Sequence, residues 1–347
     1  MNSKKSINKK HANLLKGPLE VQFDVTNKCN FRCLHCYNAS GENCYTSDEL
    51  TDLEILKLFK DLKTLEPFNV CFCGGETLLR LNVILKAAKI IKDKVPNLSI
   101  VTNGYLLTEK NLDALLDSGI NRIQISLDGN TKETYERLRL KENSYEHAIN
   151  AIKLCINRKD RINDFMISFV PTSFNIQEFS SMAENLSTIG VNSIRVQPLM
   201  AMGRGNDNAK SILPSNYQYR LLLRQIQNLK DKYGKNFVQW GDPVDHIIRF
   251  RNYFTEMTTS MTIKSNGALS VTPYFPLQVG NVRKHSAIEY WNNGLPSVWG
   301  LDIVQKIAKK FHCVGDLGQK LDDLPVLFKE TDLMIDIIEN MEDENEQ

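Results

Sequence analysis

Short apolar runs alternate along the chain with longer stretches in which apolar residues recur every three or four positions. The first pattern is typical of buried strands, and the second of helices that bury one face. In residues 51–65, for example, apolar residues have the helical spacing at Leu53, Leu56, Phe59 and Leu62, and Pro67 ends the helix. We predict six strands, at residues 19–25, 69–73, 98–101, 122–127, 165–170 and 193–197. We predict a helix after each strand, at residues 51–65, 79–94, 109–116, 145–157, 176–188 and 215–233.

Six strand–helix units in strict alternation predict the α/β class, with a parallel sheet and right-handed connections. In barrels of parallel strands the active site lies at the carboxyl ends of the strands. The segments rich in Gly, Asn or Cys follow the predicted strands. These loops should therefore converge on one site.

The alternation is expected to stop after Lys235. Asn266-Gly267 separates residues 260–264 from 268–272, which predicts a β-hairpin, and a short helix is predicted at 286–292. We therefore expect four segments: a flexible basic arm at 1–18, a partial barrel at 19–234, a small α+β appendage at 235–323 and an acidic, solvated tail at 324–347.

Charge and composition argue against several classes of protein. The formal net charge is +2, so nothing indicates nucleic-acid binding. No run of about 18 apolar residues occurs, so no membrane-spanning helix is expected. Three of the eight cysteines lie within residues 29–36, which argues against a disulfide framework and for a reducing compartment. We expect a cytoplasmic protein.

Cys29, Cys33 and Cys36 give the strongest chemical signal in the sequence. Thiolates at this density hold a soft metal ion or an iron–sulfur cluster. Three cysteines on a four-iron cluster leave one iron open to a small molecule, whereas four cysteines close the site. Structural zinc is the alternative; it prefers four protein ligands, and His35 would have to be the fourth.

The CxxxCxxC spacing followed by Tyr37 resembles the cluster motif of the radical S-adenosylmethionine (radical SAM) superfamily. The resemblance implies one 4Fe–4S cluster held by the three cysteines, with SAM chelating the open iron. An electron from the cluster would split SAM and release a deoxyadenosyl radical, which abstracts a hydrogen from the substrate. It also implies a partial (β/α)6 barrel, similar to a TIM barrel, over residues 19–199.

Further motifs resemble those that bind SAM in this family. Gly74-Gly75-Glu76 resembles the GGE motif that holds the SAM amino group, although Thr77 replaces the usual proline. Other segments resemble those that contact the ribose, the methionine end and the adenine. The SAM-binding residues implied are Tyr37, Gly74, Gly75, Glu76, Thr102, Asn103, Ser126, Asp128, Arg139 and Gln197. Taken singly, these residues also fit ordinary turns, a solvated arginine and a core tyrosine.

The C-terminal part resembles the SPASM/twitch appendage of peptide-modifying members, with Gly280-Asn281 and Trp291 at matching places. That appendage usually carries cysteines for auxiliary clusters. Here residues 272–276 contain none, and Cys313 stands alone near the end, with Asp316 where a second cysteine would be expected. One thiolate cannot hold such a cluster, so we expect a degenerate appendage.

The cysteines outside the cluster motif have two interpretations. Free cysteines are usually small buried hydrophobes. The functional alternative is a hydrogen-atom donor to a substrate radical. Cys73, directly before the GGE motif, and Cys44, in the loop after the cluster motif, are the candidates.

The resulting hypothesis is a radical SAM enzyme that matures a ribosomally made peptide by epimerisation or cross-linking. A radical SAM enzyme acting on a small metabolite, in cofactor or tetrapyrrole synthesis, is the first alternative, and a zinc-bound binding module is the second. The expected partners are a precursor peptide and a reductant such as flavodoxin or ferredoxin. About 18 residues before the first strand are too few for a leader-binding domain, so a separate leader-binding protein or the appendage would serve.

Overall fold

The computed structural model describes residues 15–43, 47–254, 256–320 and 324–339. Eleven strands of these residues form one sheet. The strands are β1 (Glu20–Thr26), β2 (Asn69–Gly74), β3 (Asn97–Thr102), β4 (Arg122–Ser126), β5 (Asp164–Phe169), β6 (Ser193–Val196), β7 (Val238–Trp240), β8 (Ser260–Ile263), β9 (Ala268–Ser270), β10 (Leu277–Asn281) and β11 (Leu333–Met334).

The sheet is parallel from β1 to β7, which lie side by side in chain order. On the other side of β1, β8 pairs with it in parallel, β9 and β10 follow as antiparallel strands, and β11 pairs in parallel with β10. The strands β7 and β11 are the two edges, so the sheet of the described residues is an open partial barrel. The predicted α/β class and all six predicted strands are confirmed.

One expectation about the end of the barrel is wrong. The alternation does not stop after Lys235, because Val238–Trp240 adds a seventh parallel strand beside β6. A strand of three residues is too short to give a recognisable apolar pattern. The predicted hairpin is present as β8 and β9, but β8 pairs with β1 and thereby extends the barrel sheet.

The helices cover one face of this sheet. They are α1 (Asp52–Leu65), α2 (Leu81–Ile91), α3 (Glu109–Ser118), α4 (Lys132–Arg139), α5 (Ser144–Ile156), α6 (Phe179–Ile189), α7 (Gly203–Asp207), α8 (Ala209–Ile212), α9 (Asn216–Tyr233), α10 (Asp245–Asn252), α11 (Ala287–Asn292) and α12 (Asp302–Ala308). Shorter 3-10 helices lie at Thr77–Arg80, Lys159–Arg161, Ile176–Glu178, Leu295–Gly300 and Val314–Asp316. The six helices predicted within the barrel are α1, α2, α3, α5, α6 and α9, and the helix predicted at 286–292 is α11; the unpredicted ones have eight residues or fewer.

Helix α1 shows how local sequence sets these boundaries. The Thr51 hydroxyl accepts a hydrogen bond from the Glu54 amide, and the Glu54 carboxylate accepts one from the Thr51 amide, which forms a capping box. At the other end, Glu66 adopts the left-handed conformation directly before Pro67. The helix therefore begins and ends where its capping residues require.

The barrel strands have an apolar outer face and a mostly polar inner face. On the outer face, the Phe59 ring of α1 lies 5.7 Å from the Phe23 ring of β1 and 5.2 Å from the Phe72 ring of β2. Most of the alternate side chains point away from these helices and are half-buried or exposed. The half-buried or exposed inner-face residues of β1 to β8 are Glu20, Gln22, Asp24, Asn69, Cys71, Cys73, Ser99, Val101, Arg122, Gln124, Ser126, Asp164, Met166, Ser168, Arg195, Gln239, Ser260 and Thr262.

The acidic tail was expected to be solvated, and for residues 324–339 this is wrong. Leu333–Met334 pairs with β10. The flanking Asp332 and Asp336 are both buried. Asp332 forms an ion pair with Lys264, and Asp336 accepts a hydrogen bond from the Tyr290 hydroxyl (2.7 Å). Residues 340–347 lie outside the described residues.

The described end of the N-terminal arm is also packed rather than loose. The Leu15 carbonyl accepts a hydrogen bond from the Trp291 indole (3.4 Å), and Lys16 forms an ion pair with Glu66 (3.0 Å). Residues 1–14 of the predicted arm lie outside the described residues.

Candidate active site

The cysteine loop follows β1 and contacts the GGE loop that follows β2. The Gly75 amide donates to the Thr26 carbonyl (2.7 Å), and the Glu76 amide donates to the Lys28 carbonyl (2.9 Å). A Cβ atom on Gly75 would lie 2.2 Å from the Lys28 carbonyl oxygen, so only glycine fits here. The predicted convergence of these two motifs is therefore present.

Arg204 of α7 holds the cysteine loop from the other side. Its guanidinium donates to the carbonyls of Cys33 and Ser40 (both 3.1 Å) and forms an ion pair with Glu42 (2.7 Å). Gly203 packs so closely that a Cβ there would lie 2.5 Å from the Tyr37 carbonyl oxygen. The conformation of the loop thus depends on a helix that follows the sixth strand.

The arrangement of the three thiols fits a cluster better than a single zinc ion. Ligands of one tetrahedral zinc lie roughly 4 Å apart, given a Zn–S bond of about 2.3 Å. Among the described residues, the only group of three or more Cys, His, Asp or Glu residues whose ligand atoms lie within 4.8 Å of one another is His285, Asp336 and Glu339. The predicted fourth zinc ligand, His35, instead places its Nε2 atom 3.5 Å from Asp128.

Polar atoms without partners surround the same loop. Eight buried side-chain nitrogen or oxygen atoms in the described residues lack a hydrogen bond. Three of these belong to Asn30 and His35 of the loop and to Arg139, which lies 3.8 Å from the Cys33 thiol. Unpaired buried polar groups are costly, so their concentration here fits a site built for a polar ligand.

Burial disfavours ionisation of two of the three thiols, Cys29 and Cys33. Burial raises the pKa of Cys33 to about 12, and the positive charge of Arg139 only partly opposes this. Burial also raises the pKa of Cys29, although the Phe31 amide donates to its sulfur (3.4 Å). Because metal ligands must be thiolates, cluster binding has to displace these protons.

Asp128 and Arg139, both predicted to contact SAM, form a buried ion pair with each other. Asp128 is fully buried and also accepts a hydrogen bond from the Val170 amide (2.7 Å). Burial lowers the pKa of the adjacent His35 to about 4, with Asp128 opposing, so His35 is neutral at pH 7. Asp128 therefore orients Arg139 behind the cysteine loop, and direct contact of either residue with SAM stays a prediction.

Glu76 links the second and third strand-end loops. Its carboxylate accepts hydrogen bonds from the Thr102 hydroxyl (2.7 Å) and from the amides of Asn103 (2.8 Å) and Leu78 (3.0 Å). The Asn103 amide group in turn donates to Asn30 of the cysteine loop (2.9 Å). The Glu76 carboxylate is fully buried and already accepts three hydrogen bonds from the protein, and contact of Gly74, Gly75 or Glu76 with the SAM amino group stays a prediction.

The remaining predicted SAM contacts lie around the mouth of the inner face. The Tyr37 ring packs against the rings of Tyr274 (6.3 Å) and Phe328 (6.0 Å), both from the C-terminal region. Gln197 hydrogen-bonds with Tyr274, and Ser126 lies half-buried at the end of β4. The structure thus places these residues at the predicted edge of the sheet.

The two predicted hydrogen-atom donors fare differently. Cys73 is half-buried at the end of β2 on the inner face, with its Sγ atom 3.2 Å from the Sγ atom of Cys71. Cys155, by contrast, is fully buried on α5, as a small hydrophobe would be. Cys44 lies outside the described residues.

Two residues that the sequence interpretation missed stand out at this site. Asp24 projects from β1 into the inner face, where burial raises its pKa to about 6 and Lys264 opposes the shift. A carboxylate at an alternating position of an apolar strand was the available signal. Arg204 gave none, because it lies 171 residues from its Cys33 contact.

The sequence matches the family model described as Radical SAM superfamily over residues 23–184, which span the cysteine loop and the first strand-end motifs. Residues 23–184 of this chain therefore form a radical SAM domain. It is 24% identical over 295 residues to the AdoMet-dependent heme synthase of Methanosarcina barkeri, covering 80% of this chain and 83% of that protein. It is 21% identical over 310 residues to the sporulation killing factor maturation protein SkfB of Bacillus subtilis, covering 89% and 72%. Streptococcus suis SuiB bound to S-adenosylmethionine shares the fold, with a TM-score of 0.64 at 15% identity over 92% of this chain and 78% of that one.

As a radical SAM enzyme, this protein uses a 4Fe–4S cluster and SAM, which together supply a deoxyadenosyl radical. The geometry supports Cys29, Cys33 and Cys36 as the cluster ligands. The Gly75 backbone and the hydrogen bond between Glu76 and Asn103 hold the cysteine loop against the loops that follow β2 and β3. Within the described residues, no helix is both long and apolar enough to span a membrane.

Proposed function

We propose that this radical SAM enzyme abstracts a hydrogen atom from a residue of a ribosomally made peptide. The observation that carries the proposal is the inner face of the barrel, which is polar, half-exposed and open at one side, next to the cysteine loop. A laterally open groove admits an extended chain without threading. The similarity to SkfB, a maturation protein, covers 89% of this chain and supports the same class of substrate.

The C-terminal region supports a peptide substrate independently. Strands β8 to β11 extend the wall of the barrel, and Tyr274 and Phe328 reach Tyr37 beside the cysteine loop. SuiB, which shares this fold, has also been solved bound to its precursor peptide SuiA. We propose that the precursor peptide lies between this region and the inner face, with leader recognition by this region or by a separate protein.

Epimerisation is the proposed reaction, with cross-linking as the alternative. Epimerisation needs a hydrogen-atom donor on the face opposite to abstraction, and Cys73 offers an S–H group on the inner face. Epimerisation needs no net oxidant, so it does not require an auxiliary cluster to take up electrons. Within the described residues, Cys313 is the one cysteine of the C-terminal region, and one thiolate cannot hold such a cluster. The electrons for SAM cleavage would come from flavodoxin or ferredoxin.

The test uses anaerobically reconstituted protein, reductant, SAM and precursor peptides encoded near the gene. We expect about four iron atoms per chain for a single cluster, formation of deoxyadenosine, and a peptide product whose residue is inverted or linked. A count near eight would overturn the expectation of one cluster. Deoxyadenosine formation with a small metabolite, and no binding or turnover of any candidate peptide, would overturn the peptide substrate.

A small-metabolite reaction is the second candidate. It is favoured by the heme synthase relative, whose length this chain covers to 83%. In the second candidate a small metabolite, rather than a peptide, would occupy the inner face of the barrel. The same assay therefore includes an incubation with a porphyrin in place of the precursor peptide.

A further inference from the structure

The inner face carries a pair of thiols in contact. Cys71 and Cys73 alternate along β2, with their Sγ atoms 3.2 Å apart. Both side chains are half-buried, so both can be reached from the inner face. A structural cysteine is normally sealed in the core, as Cys155 is at 0% exposure, and the pair departs from that pattern.

Their surroundings make the two sulfurs unequal. The contact between the two sulfurs lowers the pKa of Cys71 and raises that of Cys73 well above its usual range. The Ser99 hydroxyl also donates to Cys71, and the positive charge of Arg195 favours its thiolate. Asp24 and Glu20 add negative charge near Cys73, which keeps its proton in place. These surroundings thus favour ionisation of Cys71 over ionisation of Cys73.

The protonated member lies nearer to the cofactor face. Cys73 directly precedes Gly74 of the GGE loop. Cys71 lies one inner-face position further down the strand. A hydrogen atom would therefore leave from Cys73, with Cys71 behind it.

We propose that Cys71 and Cys73 act as one dithiol unit, in which Cys73 donates a hydrogen atom to the substrate radical and Cys71 shares the unpaired electron left behind. The proposal rests on the proposed peptide reaction and deepens it. Cys73 is the catalytic residue, because it touches the substrate radical. Cys71 is a positioning residue, because it acts through Cys73.

The atoms and electrons of this step balance. The S–H bond of Cys73 breaks and a C–H bond forms on the substrate, which leaves a thiyl radical. The Cys71 thiolate bonds to that sulfur, giving a two-sulfur radical with one negative charge. One electron from the low-potential carrier that SAM cleavage already requires, together with one proton, restores one thiol and one thiolate.

The first arm of the test asks whether the pair behaves as one dithiol, and uses the cluster-loaded protein without substrate. Phenylarsine oxide condenses with two neighbouring thiols and releases water, and the chelate resists excess monothiol. After proteolysis, we expect one arsenical on the enzyme fragment that contains Cys71 and Cys73. The arsenical should be absent in Cys71→Ser and in Cys73→Ser, and present in Cys155→Ala. An unmodified fragment in the wild type, or a modified fragment in either Ser variant, would overturn the dithiol.

The second arm measures turnover of a precursor peptide in D2O. We expect the wild type to place one deuterium in the product, and Cys73→Ser to form deoxyadenosine without deuterated product. Cys71→Ser should deuterate the product once per protein and then stall, without the transient optical absorption of the two-sulfur radical. Repeated turnover by Cys71→Ser at the wild-type rate would overturn its role.

Failure of the proposed function has a different signature. If the wild type chelates the arsenical but processes no candidate peptide, the peptide reaction is wrong and hydrogen donation by Cys73 to a peptide falls with it, while the dithiol itself stands. If the peptide is processed without deuterium uptake, the reaction stands and the donor is overturned.

Discussion

The outer and inner faces of the same barrel strands follow opposite rules. Towards the helices, alternate residues such as Phe23 and Phe72 are fully buried and apolar. Towards the barrel interior, their neighbours such as Asp24 and Cys73 are polar and partly exposed. A strand buried on both faces would be apolar throughout. The difference shows that the fold is stabilised from outside, which leaves the inner face free to carry chemistry.

The strongest test of this division removes a cluster ligand, which should abolish chemistry without unfolding the protein. We expect Cys33→Ala to lose its iron–sulfur absorption and all deoxyadenosine formation, because loss of one of three thiolates breaks the site. The matched control is Cys155→Ala, a buried thiol away from the loop, which should keep both. Normal SAM cleavage by Cys33→Ala would show that the cysteine motif is not the catalytic centre.

On the outer face, truncation should cost stability instead. Phe72→Ala removes a fully buried ring stacked on Phe59, and we expect a loss of about 3–5 kcal/mol in the free energy of unfolding. Gln124→Ala on the inner face should change it by less than about 0.5 kcal/mol. Urea titration of the two variants measures the contrast, and equal losses would contradict the separation of roles.

Arg204 contributes both to the stability of the fold and to the conformation of the cysteine loop. Arg204→Ala leaves the carbonyls of Cys33 and Ser40 without the guanidinium donor, and we expect the free energy of unfolding to fall by about 1–3 kcal/mol. The more telling readout is the rate at which a chelator removes iron, which should rise. The control is Arg161→Ala, whose ion pairs with Asp113 and Asp117 lie on the helical side; it should leave iron release unchanged.

The smallest expected effect concerns Asp24 and depends on pH. Its pKa in the folded protein is raised to about 6 from 3.8, so ionisation is disfavoured in the folded state. The wild type should therefore lose stability as the pH rises from about 4 through 6, by roughly 1–3 kcal/mol. Asp24→Asn should lack this loss and be the more stable protein at pH 8, with little difference at pH 4. Parallel pH profiles of the two proteins would contradict the raised pKa.

The sequence predicted what depends on local pattern. Strand-end placement brought Cys29, Gly75 and Asn103 together, since parallel strands share a carboxyl edge. Alternation likewise placed Cys71 and Cys73 on one face of β2. Neither pattern reports distance, so the 3.2 Å contact between the two sulfurs required the structure.

Contacts between distant segments escaped prediction. Tyr37 meets Tyr274 and Phe328 only because the chain returns from its C-terminal region to the cysteine loop. The tail was misjudged for a related reason. Its acidic composition indicates solvation, yet Asp332 and Asp336 are buried because Lys264 and Tyr290 are there to receive them.

The dependence of the cysteine loop on Arg204 has a consequence for synthesis on the ribosome. Arg204 is translated 171 residues after Cys33, which at about 5–20 residues per second takes roughly 10–35 s. During that interval the loop has emerged without the side chain that later anchors its carbonyls. The anchored conformation of the cysteine loop therefore cannot form until α7 has been synthesised.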